Sequence, residues 1–397
     1  MAFVFIHTAD WQMGKPFGEF DPEKQAVLRQ ARLQAIDRLA AAARAAGAGH
    51  VLVAGDVYDG NLESRQLLKP LSKLAGYGDI HWHLLPGNHD PASPAGLWER
   101  ISAAGVPDNV VLHLEPRPCE IEPGVFLLPA PLKAKTISRD PTGWMNDAVT
   151  PAAALRIGLA HGSVHGFDSA GEAAVELDPA RPESAGLAYL ALGDWHGLKQ
   201  VNERVWYSGT PEPDRFKANN SGHALIVRLA GNDALPEVTQ VPTAAYDWRR
   251  RSLDIGGADD LQVLDAELED SPFQRSNTLL RLELSGTVRL AEDAAIALAL
   301  ERLETSLFHL RRRFGNLHVA PETDDLMALD DSELRAAAER LRDMIGAEGA
   351  SAKGAGAKET GRQNSDRGAA AERALRLMFQ MACRDDNGST RSRGGRP

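Results

Sequence analysis

Asp10, Gln12, Asp56, Asn88, His161, Asp194 and His196 are side chains of metal-ligating type, and each stands at or just after a short apolar run. Carboxylate and amide oxygens mixed with imidazoles suit Mn²⁺, Fe²⁺ or Zn²⁺ better than Ca²⁺ or a thiolate-seeking metal. Seven such side chains are too many for one ion with an open position and about right for two. Two ions roughly 3.5–4 Å apart can activate a water between them and clamp the oxygens of a phosphoryl group. Asp56 suits a bridging place, since a carboxylate brings two oxygens and a single amide or imidazole serves less well. Taken singly, Asp10 reads as a turn residue and Asn88 as a helix cap. Their succession at strand ends is what speaks for a site.

The elements that must position these residues alternate, up to about residue 230, between short apolar runs and helical stretches, the pattern of an α/β fold. Phe3–Ile6 reads as a strand ending at His7-Thr-Ala-Asp10, and His50–Ala54 as a buried strand ending at Gly55-Asp56. Between them, Asp21 can cap a long helix, Pro22 suits its first turn and Gly47 ends it. A second helix is expected from about Ser64 to Leu74. Strands at Ile80–Leu85, Leu155–Ala160 and Leu187–Leu192 lead into Pro86–Asp90, His161 and Gly193–His196. In α/β proteins sites are built at the carboxyl edge of the strands, where loops sit on rigid supports.

The series Asp10-x-Gln12, Gly55-Asp-x-x-Asp59, Gly87-Asn-His-Asp90, a lone His161 and Gly193-x-x-His196 resembles the calcineurin-like metallophosphoesterases. The longer strings His7–Gly14, Ala54–Asp59, Pro86–Asp90, Tyr189–His196 and Tyr207–Glu212 resemble the SbcD-type DNA repair exonucleases, over about residues 1–216. The resemblance implies a four-layer α-β-β-α sandwich with a small α/β cap domain. It implies a first ion on Asp10, position 12, Asp56 and His196, and a second on Asp56, Asn88, His161 and position 194. By the same resemblance His89 meets the scissile phosphate and Asp59 orients it, while metal-bound hydroxide attacks in line. Two positions depart from the family: Gln12 and Asp194 each stand where it usually has His. A neutral Gln12 oxygen should hold the first ion less tightly, and the charge of Asp194 should favour Mn²⁺ or Mg²⁺ over zinc. Implied partners are DNA, an SMC-like ATPase subunit with a coiled coil, and a second copy of the nuclease. A phosphodiesterase on a small nucleotide or diester, and a non-catalytic DNA or ATPase scaffold, stay open beside a metal-dependent DNA exonuclease.

Composition narrows the setting. The 397 residues are 43% hydrophobic and 25% charged, with a net charge of −11, which argues against passive binding of nucleic acid by a positively coated surface. Bound divalent ions or a partner could still supply positive charge. Cys119 and Cys383 are far apart, so neither a disulfide scaffold nor a cysteine zinc site is expected. No apolar run is long enough to span a membrane, and Met1–Ile6 lacks the basic start of a signal peptide, so a soluble cytoplasmic protein is expected.

The catalytic domain is expected over residues 1–245 and a cap over 246–322, with a strand at Thr278–Leu284, a helix from about Ala291 to Phe314 and a short strand at Asn316–Val319. A charged helical segment is expected at 323–345. A mostly disordered tail follows at 346–397, with a partner-binding helix possible at 369–383. His7 reads as a neighbour of the site at most, His81 and His83 as satisfied sheet residues, and His165 as a group that could reach the cleft. Arg249–Arg251 and Arg311–Arg313 read equally as phosphate contacts or as a solvated strand and a helix end. Trp11 and Trp195 fit core packing beside the site better than base stacking.

Overall fold

The computed structural model describes residues 2–60, 62–164, 175–319 and 332–351, and within 370–378 all but 372 and 376. By its internal contacts the chain divides into two units, Met1–Tyr246 and Asp247–Pro397.

The first unit opens with β1 (Phe3–Thr8), α1 (Pro22–Ala46), β2 (His50–Val53), α2 (Ser64–Ala75), β3 (His81–Leu84), α3 (Leu97–Ala104) and β4 (Val110–Leu112). It continues with β5 (Cys119–Glu122), β6 (Val125–Ala130), β7 (Leu155–His161), β8 (Ser163–Val164), β9 (Glu176–Leu177), α4 (Arg181–Ala185), β10 (Tyr189–Gly193), β11 (Lys199–Gln200) and β12 (Val205–Tyr207). Then β13 (His223–Leu229) and β14 (Glu237–Pro242) return to the first sheet. The first six-stranded sheet runs β14-β13-β1-β2-β3-β4, and the second runs β11-β12-β10-β7-β6-β5. The strands β1 to β4 pair in parallel, as do β6, β7, β10 and β12, so their carboxyl ends share one edge of each sheet.

Local chemistry sets the helix ends. Asp21 accepts a bond from Lys24 N at 2.9 Å, Pro22 needs no helical donor, and Gly47 closes α1 in the left-handed region at φ 68°. Strand alternation builds the layers. Val51 and Val53 face Ile36 and Leu39 of α1, whereas Leu52 joins Phe5, Leu127, Ile157, Leu159 and Val227 between the sheets. Leu128, Leu190, Leu192 and Val205 pack on the far side of the second sheet with Met145 and Ala185. The result is the expected four-layer α-β-β-α sandwich.

A row of buried histidines lies along the first sheet. His113 Nε2 meets His83 Nδ1 at 3.0 Å, His83 Nε2 meets His50 Nδ1 at 3.0 Å, and His50 Nε2 meets Glu122 at 3.1 Å. Each shared contact holds one proton, so His83 can give one bond and take one only while neutral. His81 is exposed, its ring 5.2 Å from that of His50.

The second unit comprises β15 (Asp247–Asp254), α5 (Gln262–Glu269), β16 (Thr278–Val288), α6 (Leu290–Ser306), β17 (His309–Val319) and α7 (Ser332–Ser351). Its three strands pair in parallel as β15-β16-β17 over a core including Leu264, Leu280, Leu282, Leu300 and Leu310. The helix expected to reach Phe314 stops at Ser306, and Leu307 is already extended at φ −93° and ψ 156°. Leu300, Leu303, Leu307, Leu310 and Phe314 recur at helical spacing, which is why the sequence suggests a longer helix. Pairing of His309–Val319 with β16 overrides that local pattern, and the strand expected at 316–319 is only the end of β17. Arg311–Arg313 therefore lie on a strand, not at a helix end.

Part of the expected helical segment, 323–331, lies outside the described residues, and α7 runs past 345 to Ser351. Most of the tail, with the disorder expected there, also lies outside them. Within the expected 369–383 helix, the described residues between 370 and 378 are helical, with Ala371 and Leu375 buried.

Burial holds His83 well below the usual imidazole range, and His113 is lowered to about 4 by burial and by nearby Arg117. The unfolded chain therefore takes up protons first, and stability is lost as pH falls from about 6.5 towards 4. The urea midpoint is expected to drop across that window, with a shallower slope in His113→Gln. A midpoint independent of pH there would contradict the neutral row.

Candidate metal centre

The loops after β1 and β2 are zipped together by backbone bonds. Asp10 N donates to Gly55 O at 3.1 Å, Gln12 N to Asp56 O at 2.8 Å, and Asp59 N to Met13 O at 3.0 Å. Asp10, Gln12, Asp56 and Asp194 all adopt positive φ, at 54°, 42°, 53° and 102°. Non-glycine residues held there cost on the order of 1–3 kcal/mol each, and such strain gathers at functional sites. Across the sheets, His161 Nδ1 donates to Ala54 O at 2.9 Å and Asp194 N donates to Asp10 Oδ1 at 3.1 Å. A methyl group on Gly193 would run into Ala54 O, so glycine there permits this close approach.

Asp10, Asp56 and His161 converge, all buried, with one ligand atom of each within 4.8 Å of the others. His161 Nε2 lies 3.4 Å from Asp56 Oδ1 and 3.9 Å from Asp194 Oδ1. Since Nδ1 holds the proton shared with Ala54, Nε2 turns a lone pair towards carboxylate oxygens. That is stable only with a proton or a cation between them. Burial opposes charge on His161, yet the Asp56, Asp10 and Asp194 carboxylates push it up to about 9. Burial, joined by Asp56 and Asp194 and opposed by His196 and His161, raises Asp10 to about 6.

Asn88 adds a second sign of a cation site. Its Nδ2 donates to Asp194 Oδ1 at 3.2 Å, while its Oδ1 is buried without a hydrogen-bond partner, as is His161 Nε2. Orphaned acceptors beside three carboxylates are the donor set of a cation site, so a divalent ion fits Asp10, Asp56, Asn88, His161 and Asp194.

Gln12 and His196 sit on the other flank. Gln12 Nε2 lies 3.2 Å from His196 Nε2 and 3.5 Å from Asp56 Oδ2, and Gln12 Oε1 accepts from Lys15 Nζ at 3.1 Å. His89 is exposed, its Nδ1 2.9 Å from Asp59 Oδ1, and its backbone N donates to Asp56 Oδ1 at 2.9 Å. The bond between them raises the pKa of His89 and lowers that of Asp59. All nine candidate residues thus gather where the carboxyl edges of the two sheets meet.

Residues the sequence reading passed over hold this group in place. Buried Asp214 lies 3.3 Å from His196 Nδ1 and 2.8 Å from Lys15 Nζ. Burial works against its charge, but His196, Arg32 and Arg215 hold its carboxyl well below the usual range. Ser163 Oγ donates to Asp194 Oδ2 at 2.6 Å. Asp90 accepts from Gly87 N at 2.6 Å and Tyr58 N at 3.0 Å, shaping the turn that carries Asn88 and His89. Asp90 closes the Gly87–Asp90 string and Asp214 follows Tyr207–Glu212 by two residues, so proximity to those strings was the available signal.

The neighbours read with less weight settle as packing. His7 is buried between Tyr189 Oη at 3.0 Å and Leu192 O at 3.1 Å. Trp11 is buried, bonds Thr8 and meets Trp82 edge-on. Trp195 packs against the second sheet's outer cluster, with Lys217 Nζ 4.1 Å from its ring centre. His165 lies outside the described residues.

Residues 3–228 match the family model of calcineurin-like phosphoesterases, and the chain belongs to that family. It is a metal-dependent hydrolase of phosphoric esters. No curated protein matches the chain. Among solved structures, TT1561 of Thermus thermophilus is similar over 61% of this chain and 100% of its own, at 12% identity and a TM-score of 0.40. Among the described residues, no helix is long and apolar enough to cross a membrane.

His89→Gln is expected to slow phosphoester hydrolysis by about 10²–10⁴-fold, the loss that follows if its imidazole passes a proton. Metal content should stay unchanged, because the side chain points to Asp59 and not into the cluster. Asp59→Asn should cost less. Loss of bound metal in His89→Gln, read by elemental analysis, would instead make His89 a ligand.

Proposed function

We propose that this chain is a metal-dependent DNA exonuclease that favours Mn²⁺, acts in DNA repair in the cytoplasm, and works as a homodimer with an SMC-like ATPase carrying a coiled coil. The observation that carries the reading is the exposed His89–Asp59 pair standing beside the buried Asp10–Asp56–His161 cluster. A divalent ion bound there supplies Lewis-acid polarisation of the phosphoryl group and an acidified water. His89, fixed through Nδ1, has Nε2 left to bring a proton to the departing oxygen. The buried carboxylates of Asp10 and Asp56 would hold the ion, and Asn88 and Asp194 make the donor set oxygen-rich, which favours a hard ion such as Mn²⁺.

DNA as the substrate rests on the likeness of five strings to the SbcD-type group. The net charge of −11 fits a subunit that leaves much of the grip on DNA to its ATPase. The arginine runs of the second unit add little. Arg249 pairs with Asp247, Arg250 with Glu283, Arg251 with Glu267 and Arg312 with Glu304. Four of the six thus already face a carboxylate within the unit, so the runs by themselves are weak support for phosphate contact.

The test is Mn²⁺-dependent release of nucleotides from end-labelled linear DNA by the full chain, beside Asp56→Asn and with bis-p-nitrophenyl phosphate as a small diester. Release by the wild type that vanishes in the variant supports the exonuclease. Cleavage of the small diester with DNA untouched, with and without the ATPase, assigns the enzyme to small substrates. Cleavage of neither by a metal-loaded chain leaves a scaffold.

A further inference from the structure

We propose that the site of this chain holds one divalent ion, on Asp10, Asp56, Asn88, His161 and Asp194, and that the Lys15–Gln12 pair occupies the place of a second. The inference rests on the metallohydrolase reading and specifies how its site is loaded.

The two flanks of Asp56 differ in what their acceptors face. On the Asn88–His161 flank, two buried acceptors have no hydrogen-bond partner, and oxygens of Asp56 and Asp194 lie within 3.9 Å of His161 Nε2. Something positive is required there. On the Gln12–His196 flank the lone pairs that could bind an ion are already met by N–H groups. His196 Nδ1 lies between Asp214, at 3.3 Å, and the Arg215 guanidinium, at 3.0 Å, while the Gln12 amide nitrogen faces Nε2 at 3.2 Å and the guanidinium stands 3.5 Å from it. The other oxygen of Asp56 faces the same amide nitrogen at 3.5 Å.

The amide cannot easily turn its oxygen inward instead. Lys15 Nζ donates to Gln12 Oε1 at 3.1 Å and is anchored to buried Asp214 at 2.8 Å. A rotated amide would set its NH₂ against the Lys15 ammonium and its oxygen against the Asp56 carboxylate, repulsions on both sides. The backbone of Gln12 is equally fixed, with φ of 42° and its N–H on Asp56 O at 2.8 Å. Lys15 also brings an ammonium group beside a carboxylate-rich site, which partly does the electrostatic work of a cation. A histidine at position 12 could offer a lone pair; this glutamine offers a donor.

The experiment is a Mn²⁺ titration of the chelator-treated full chain, with bound metal counted after equilibrium dialysis and electron paramagnetic resonance recorded at saturation. The wild type is expected to bind one ion per chain and to show the spectrum of isolated Mn²⁺. The double variant Gln12→His with Lys15→Ala is expected to bind two ions and to show a spin-coupled pair. Should that variant not fold, Lys15→Ala alone, which frees Gln12 Oε1, is expected to admit a second, weaker ion. Two coupled ions in the wild type overturn the proposal while leaving the metallohydrolase reading intact. A double variant that folds and still binds one ion overturns the role given to Lys15 and Gln12. No ion bound by any of these proteins overturns both readings.

Discussion

The hydrogen bond from His161 Nδ1 to Ala54 O joins the second sheet to the first at the edge where the site is built. It fixes which ring nitrogen carries the proton, and so aims the Nε2 lone pair at the carboxylates. It also holds the ends of β2 and β7 close enough for side chains from two sheets to serve one ion. Gly193 and the left-handed turns at Asp10, Asp56 and Asp194 are accommodations to that closeness. The apolar layer between the sheets, with Leu52, Leu159 and Ala191, holds the spacing and offsets the backbone strain.

Much of the first unit was legible in the sequence because its signals are local. An apolar run, a turn and a capped helix announce β1, α1 and β2, and the site residues follow directly from the strand ends. The shell behind the site was harder to read. Asp214 meets His196 and Lys15 across the fold, and its nearness to the Tyr207–Glu212 string could flag it but not say which side chains it orients. The consequence of Gln12 was legible only as a weaker ligand; that its amide nitrogen faces inward depends on Lys15, a contact set by the loop's conformation.

In the second unit the sequence misled at one point for a clear reason. Leucines at helical spacing continue past Ser306, but a parallel partner is available in β16 and local periodicity cannot weigh a distant strand. The same change moves Arg311–Arg313 from a helix end, where cations favour the dipole, to a sheet. There Arg312 finds Glu304 of α6. Charge runs that suggest a ligand in sequence are here largely absorbed by neighbours that only the fold brings near.

The placement of β13 beside β1 bears on how the chain is made. β1 is made well before β13, and its second edge stays open until β13, near the far end of the first unit, has been synthesised. Until then the backbone of Phe3–Thr8 has a partner in β2 on one side only, and an unpaired apolar edge can join other chains. Asp10 and Asp194, brought together across the same span, complete the centre late in synthesis. A chain truncated before His223 would therefore be prone to aggregation as well as inactive.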